Sequence, residues 1–558
     1  MKKIFILFII ISYQHIFALS IEDISLHLQN SLETKLKESN QNTPIIKQIY
    51  KSFKNKPVWV QDSTKMSNLI QALKNPMYNY KNKAFDQKAI KKLLYYLDNN
   101  NISQQKKALV YARLDLLLTN SYIRLIRFIT EGDVDWDLVQ KKLKALKESD
   151  DISAVWEMHP KHIPSTKSII YSIKKQKVTP YLNSLLPMQD RYKKLVNLLI
   201  KYRQMDKFPK IPYTNKVLKL GDRDSRIVTI KKRLQISGDY PKNVKLTNKF
   251  DTLLQQAALT YQKRYLLKPT GMIDKTMTYY LNQPAKKNIQ SIITNLDKTK
   301  LYPKKFEDEY IEVNIPDFNL RYYKDGNMIT KMGVVVGRID RPTPIFNSSI
   351  KYMVLNPTWT IPDNLIKRDL IHVFRENPNY LQEHNIHVFR GKKEIEDITP
   401  DMLDPYEHSE EKVPFRFVQY PGDDNALGRV KFMFPNKYAV YLHDTDNKSL
   451  LSRRYKIYSS GCMRVDKPFE LLDILLSHAK KHYDRYDIEE IIATDKPTII
   501  RLKKYIPIHI VYFTVYEEDG LAYFKNDIYM YDKIIQESIK GRSKPTFYMP
   551  KNRFITTD

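Results

Sequence analysis

The hydrophobic period changes near Tyr310, and that change divides the chain. Before it, apolar residues recur at three and four spacing. One such run starts at Ala112, passes Leu114 and Leu118, continues to Ile129 and stops at Gly132. Tyr192, Leu195, Leu198 and Tyr202 mark another. Both are amphipathic helix patterns. After Tyr310, Ile311, Val313 and Ile315 alternate with Glu312 and Asn314 in the manner of a half-buried strand. Leu320 to Tyr323 and Gly333 to Gly337 extend a sheet, with Lys324-Asp325-Gly326-Asn327 as a hairpin turn. Lys351 to Leu355 and Phe415 to Val418 are further strands, and Ile508 to Tyr516 with Leu521 to Phe524 predict a last hairpin. A chain of 558 residues exceeds one ordinary core, so about three to four domains are expected. The fold class is therefore α+β and multidomain. A helical scaffold covers residues 21–215, a small helical unit 216–284, a helical linker 285–308, a β-rich domain 309–505, and a hairpin with a tail 506–558. Inside the β-rich domain, residues 363–414 form a long polar excursion broken by Pro378, Pro400 and Pro405. An excursion of that length is a lid or a linker.

The first twenty residues read as an address. Lys2 and Lys3 precede an apolar run from Ile4 to Ile11, and small residues Ala18 and Ser20 follow at cleavage-site spacing. This is the pattern of a secretory signal peptide, with an uncleaved anchor as the alternative. No later segment reaches the ~18 apolar residues that a membrane span needs. Net charge is +31, yet the basic residues are spread along the chain and interleaved with acids. No zinc-ligand pattern or phosphate-cradling glycine loop accompanies them. A generally basic surface fits better than nucleic-acid binding, and its field favours an acidic polymer or an anionic membrane.

The chain has one cysteine. An exported protein with one cysteine has no internal disulfide framework and carries a free thiol into an oxidising compartment. Such a thiol is either buried and inert or kept for its reactivity. The surroundings favour reactivity. Cys462 follows His443 by nineteen residues, inside Ser459-Ser460-Gly461-Cys462-Met463-Arg464, and the histidine lies in Tyr441-Leu442-His443-Asp444-Thr445. An imidazole can take a thiol proton and return it to a leaving amine. Gly461 permits close backbone approach, and amides beside the nucleophile can donate to an oxyanion. A papain-like protease would place the cysteine early and the histidine late, the reverse of this order.

The string Ser460-Gly461-Cys462-x-Arg464 after such a histidine resembles the signature of L,D-transpeptidases. Gln419-Tyr420-Pro421-Gly422, the run from Asn425 to Phe432, and Phe434-Pro435-Asn436 resemble the large, multidomain YcbB-type branch. Arg341-Pro342-Thr343-Pro344, Asn356-Pro357-Thr358-Trp359 and Asp527-Ile528-Tyr529 agree. Residues 216–284, with Leu220-Gly221-Asp222, Tyr261-Gln262 and Leu281-Asn282, resemble the three-helix peptidoglycan-binding module of cell-wall enzymes; a generic helical insert is the plainer reading.

The resemblance implies a reaction with no metal or organic cofactor. Cys462 is the nucleophile and His443 the base and acid. Gly461, Ser460 and Arg464 contribute to the oxyanion hole or support the loop. Arg464 binds a stem carboxylate or makes a structural salt bridge. Tyr441, two residues before His443, shares its strand face and lines the site or packs. Trp359 walls the groove or belongs to a core. The histidine is oriented by a backbone carbonyl, and Asp444 and Asp446 are taken as solvated loop carboxylates. Residues 363–414 match a lid. The implied partners are peptidoglycan stem peptides, a tetrapeptide donor and a diaminopimelate acceptor, with acylation by carbapenem-type β-lactams. The implied location is the periplasm. An L,D-carboxypeptidase, an enzyme attaching proteins to peptidoglycan, and a non-catalytic wall-binding scaffold remain as alternatives.

Overall fold

A computed structural model describes residues 20–34, 41–98, 102–150, 152–205, 208–265 and 267–539. The signal-peptide pattern and the C-terminal tail lie outside the described residues. No helix among the described residues is long and apolar enough to cross a membrane.

The helical part is organised around one long helix, Gln104–Thr130. Its buried face carries Leu114, Leu118, Tyr122, Leu125 and Ile129, which pack against helices Ile21–Thr34, Ser63–Lys74 and Gln189–Met205 in one core. Asp115 sits on that buried face. Its carboxylate accepts from the backbone amides of Val58, Trp59 and Val60 at 2.7–3.0 Å and from the Tyr50 hydroxyl at 2.6 Å. A buried carboxylate is tolerable only when its lone pairs are filled in this way. The long helix ends where the sequence predicts, with Gly132 at φ +76°. There the Lys300 ammonium caps the helix through the carbonyls of Phe128 and Ile129.

Helices Arg226–Ser237, Thr252–Arg264 and Lys275–Leu281 form the small unit, with its own core of Leu218, Ile227, Leu234, Phe250, Leu254 and Leu281. Asp251 and Asp274 cap the second and third helices by accepting from Leu254 N and Met277 N. The following helix, Ala285–Thr299, is more than a linker. Its last turns are buried, Lys298 pairs with Asp532 at 2.6 Å, and Asn295 donates to Thr514 at 2.8 Å.

The β-rich domain is built from β1 (Glu309–Asn314), β2 (Asn319–Lys324), β3 (Asn327–Gly337), β4 (Asn347–Leu355), β5 (Trp359–Thr360), β6 (Ile386–Arg390), β7 (Lys393–Glu394), β8 (Arg416–Gln419), β9 (Val430–Met433), β10 (Leu442–His443), β11 (Ile457–Ser459), β12 (Met463–Val465), β13 (Thr498–Val511), β14 (Val515–Glu518) and β15 (Leu521–Phe524). The main sheet runs β11-β3-β12-β10-β9-β4-β13-β1-β2, and the β2–β3 pairing closes it on itself. Asp325 and Gly326, both at positive φ, make the tight turn between β2 and β3. One face of the sheet holds Val334, Val336, Leu355, Phe432, Leu442, Met463 and Val465 in a shared core.

One expected boundary moves. β13 runs through residue 505 to Val511 and pairs with β4 and β1, so the last hairpin is only β14–β15. Within the scaffold's residues 21–215, Trp136, Val139, Leu143 and Trp156 pack into the sheet's core. The excursion is neither a bare linker nor merely helical. β5, β8, β6 and β7 form a second small sheet, and Ile366, Ile371, Phe374, Leu403 and Phe417 give it an independent core. Trp359 packs against that core.

Candidate active site

Strand register assembles the site. β10 lies parallel to β12, with Leu442 opposite Met463 and His443 opposite Arg464. Cys462 immediately precedes β12, so it faces Tyr441 across the same pair. Side chains alternate along each strand and opposed residues share a face. Leu442 and Met463 point into the core, both fully buried. Tyr441, His443, Cys462 and Arg464 therefore project together from the other face. β9 lies antiparallel on the far side of β10 and puts Lys431 opposite His443. The sequence reading did not single out Lys431. Its position in the alternation Val430-Lys431-Phe432-Met433 was the available signal, since Val430 and Phe432 are core residues.

His443 is buried, and its Nδ1 lies 2.5 Å from the Asp444 carbonyl oxygen. A carbonyl only accepts, so Nδ1 carries the hydrogen and Nε2 is the basic nitrogen. Asp444 is buried, which corrects its reading as a solvated loop residue. Its carboxylate accepts from Arg429 N at 2.9 Å and pairs with Lys448. Gly428 stands where a Cβ would come within 2.4 Å of the Asp444 carboxyl, at φ +58°. Only glycine lets this loop close over the segment that orients the imidazole.

The cysteine loop is braced from below. Gly461 adopts φ +118°. The Thr343 hydroxyl donates to Gly461 O at 2.9 Å and accepts from Gly337 N at 2.8 Å. The Tyr529 hydroxyl donates to Gly337 O at 2.6 Å and accepts from Thr343 N. Ser459 Oγ accepts from the Gly461 amide at 3.3 Å and donates to Cys462 O. Thr343, Ser459 and Tyr529 were not singled out as site residues from sequence: Thr343 and Tyr529 act through partners distant in the chain, and Ser459 acts through the local fold of the cysteine loop. Ser460 Oγ accepts from Arg341 at 3.0 Å, and the same guanidinium pairs with Asp369 of the excursion at 2.6 Å. Arg464 donates to Thr445 Oγ1 at 3.1 Å and lies 3.9 Å from Asp446. Tyr441 stands edge-on to the His443 ring, 5.6 Å between centroids.

The half-buried Cys462 sulfur donates to the Ala439 carbonyl at 3.9 Å. Burial pushes the thiol up to about 11, against the pull of Tyr441, Arg464 and Lys431. Burial and the Arg464 and Lys431 charges take His443 down to about 3, with the Asp444 hydrogen bond opposing. Both groups are thus neutral at pH 7, and no thiolate–imidazolium pair preforms. A raised thiol pKa means that the thiolate fraction keeps growing until pH passes that value. Alkylation of the free protein by iodoacetamide is therefore expected to accelerate about tenfold per pH unit between about pH 6 and pH 9. A rate plateau near neutrality would reveal a preformed ion pair and contradict this electrostatic picture.

Residues 308–493 match the family model described as an L,D-transpeptidase catalytic domain, and residues 44–199 match one described as a scaffold domain. A Haemophilus influenzae protein provisionally named an L,D-transpeptidase is 38% identical over 225 residues, covering 40% of this chain and 45% of the relative. The chain thus spans less than half the length of that curated relative. Solved L,D-transpeptidase structures from Xylanimonas cellulosilytica and Stackebrandtia nassauensis are 11% and 12% identical, each covering 54% of this chain, and 98% and 96% of their own, both with a TM-score of 0.18. Likenesses that distant add nothing to the sequence match. The chain carries a YkuD-type L,D-transpeptidase catalytic domain, set in a mixed helical and β multidomain protein.

Proposed function

We propose that this protein is an exported L,D-transpeptidase of bacterial peptidoglycan, of the multidomain YcbB-type branch, that forms 3→3 cross-links through Cys462. The observation that carries the reading is the strand register that puts Cys462, His443, Tyr441 and Arg464 on one face inside the matched catalytic domain. In the first half-reaction Cys462 Sγ attacks the carbonyl of the third stem residue while His443 Nε2 accepts the thiol proton. The carbon–nitrogen bond to the terminal D-alanine breaks, His443 returns the proton to the leaving amine, and a thioester remains. In the second half-reaction the side-chain amine of a neighbouring diaminopimelate attacks the thioester, and the cysteine leaves as a thiol. The Cys462 amide, which donates to no other described residue, is the natural donor to the oxyanion; the Gly461 amide already serves Ser459.

The surrounding parts have roles in this reading. The small sheet and helices of residues 363–414 act as a lid, tied to the cysteine loop through Asp369, Arg341 and Ser460. A lid screens a thioester from water. The three-helix unit binds peptidoglycan, and the signal segment directs the protein to the periplasm. Carbapenem-type β-lactams acylate the same sulfur.

Incubation with purified disaccharide-tetrapeptide, followed by muropeptide chromatography and mass spectrometry, tests the assignment. A 3→3 dimer with equimolar D-alanine is the expected product. Tripeptide and D-alanine without dimer would reassign the site to an L,D-carboxypeptidase, and acyl transfer only to a protein amine would reassign it to protein attachment. A folded, reduced protein that turns nothing over would instead be a wall-binding scaffold.

A further inference from the structure

We propose that Lys431 is a specificity-determining residue that receives the terminal carboxylate of the donor peptide, the one on the D-amino acid that leaves. The inference rests on the transpeptidase reading above. Lys431 shares the site face with His443 by register, and its Nζ lies 5.7 Å from the centroid of the Tyr441 ring. Tyr441 in turn stands beside Cys462 across the β10–β12 pair. The lysine is half-buried, and that burial lowers its pKa from the ordinary value.

Charge bookkeeping over this face leaves the lysine alone. Asp446 lies against Arg464, and Asp444 is taken by Lys448 and the Arg429 amide. Among the described residues no carboxylate pairs with Lys431, and its recorded contact is the Tyr441 ring face. A cation drawn partly out of water with no counterion is costly unless an anion arrives. The reaction supplies one at the right place. In the donor, the leaving residue's carboxylate is separated from the attacked carbonyl carbon by one nitrogen and one Cα. Covalent geometry therefore holds it within about 5 Å of the carbon that the sulfur attacks. Arg464 is the other cation on this face: its Nη1 donates to Thr445 with Asp446 3.9 Å away, while its buried Nε has no partner among the described residues; of the two, Lys431 is the one with no carboxylate in ion-pair reach.

The test pairs a change in the residue with a change in the substrate. Acylation kinetics are measured with a tetrapeptide donor bearing either a free C-terminal carboxylate or a C-terminal amide, on the wild-type enzyme and on Lys431→Gln and Lys431→Arg. Any influence of the lysine on the thiol acts on both donors and cancels in their ratio. Wild type is expected to prefer the acid by about ten- to a hundredfold, chiefly in KM. Lys431→Gln brings the ratio close to one, and Lys431→Arg keeps part of it; Lys431→Met serves as the uncharged variant if the glutamine protein does not fold. An acid-to-amide ratio in the uncharged variant equal to that of wild type overturns the proposal. So does a wild type that accepts both donors equally. No acylation of wild type by either donor would sink the transpeptidase reading and this inference together.

Discussion

Replacing His443 by glutamine is expected to slow acylation of Cys462 by a tetrapeptide donor by about a thousandfold at pH 7. Glutamine can still donate to the Asp444 carbonyl, so the substitution removes the basic nitrogen while keeping the bond that holds the side chain. The size of the effect follows from the resting electrostatics. A thiol held up at about 11 is almost wholly protonated at neutral pH, and Arg464 and Lys431 do not offset its burial. Attack then needs a base that takes the proton as the sulfur–carbon bond forms. His443, held down at about 3, is neutral throughout the working range, so its Nε2 lone pair is open; transfer of the thiol proton to it is uphill in the resting site and becomes favourable only as the sulfur–carbon bond forms. The deficit has a definite pH dependence. As pH rises toward the thiol's value, thiolate forms without help, and the variant's rate climbs toward that of wild type. Single-turnover mass spectrometry at several pH values reads this directly. A deficit that stays constant to high pH would assign His443 to binding or to leaving-group protonation instead.

Asp115→Ala is expected to cost about 3–5 kcal/mol of scaffold stability, measured by denaturant unfolding. The carboxylate is the common acceptor for three consecutive backbone amides and a tyrosine hydroxyl, all buried. Truncation orphans three backbone amides, leaves the Tyr50 hydroxyl to Thr119 alone at 2.9 Å, and opens a void beside Trp59, whose indole N–H is held separately by Thr119. Asp115→Asn is expected to lose less, because one carbonyl oxygen still accepts while the new amide must find acceptors of its own. A loss below about 1 kcal/mol for the alanine variant would mean that water reaches this segment and satisfies the amides.

Much of this was legible from residue patterns. The change of period at Tyr310 coincides with β1, and the Lys324–Asn327 turn joins β2 and β3 as read. The histidine's backbone-carbonyl partner was also anticipated, and Asp444 supplies it. What the sequence hid were facts of pairing between distant segments. Lys431 lies on the site only because β9 pairs with β10 in one register and not the next; a one-residue slip would have sent it to the core face. Asp444 reads as a loop carboxylate until Gly428 and Lys448 close over it. The helical period of residues 136–150 says that one face is apolar but not which core receives it, and that face joins the sheet's core. The excursion's strands are too short and too polar to announce themselves, and the small sheet and its core reach past the 363–414 bounds at both ends, to Ile361 and Phe417. The β13 strand crossed the expected boundary because its pairing continues on both β4 and β1.

The central claim is that Cys462 carries the acyl group of a peptidoglycan donor. Intact-protein mass spectrometry of the wild type and Cys462→Ala, sampled during reaction with disaccharide-tetrapeptide and followed by peptide mapping, tests it most directly. The expected result is a transient adduct on wild type alone, with the mass of the donor less D-alanine and mapped to the peptide containing Cys462. An adduct of the same mass on Cys462→Ala, or turnover by that variant at the wild-type rate, would contradict the account.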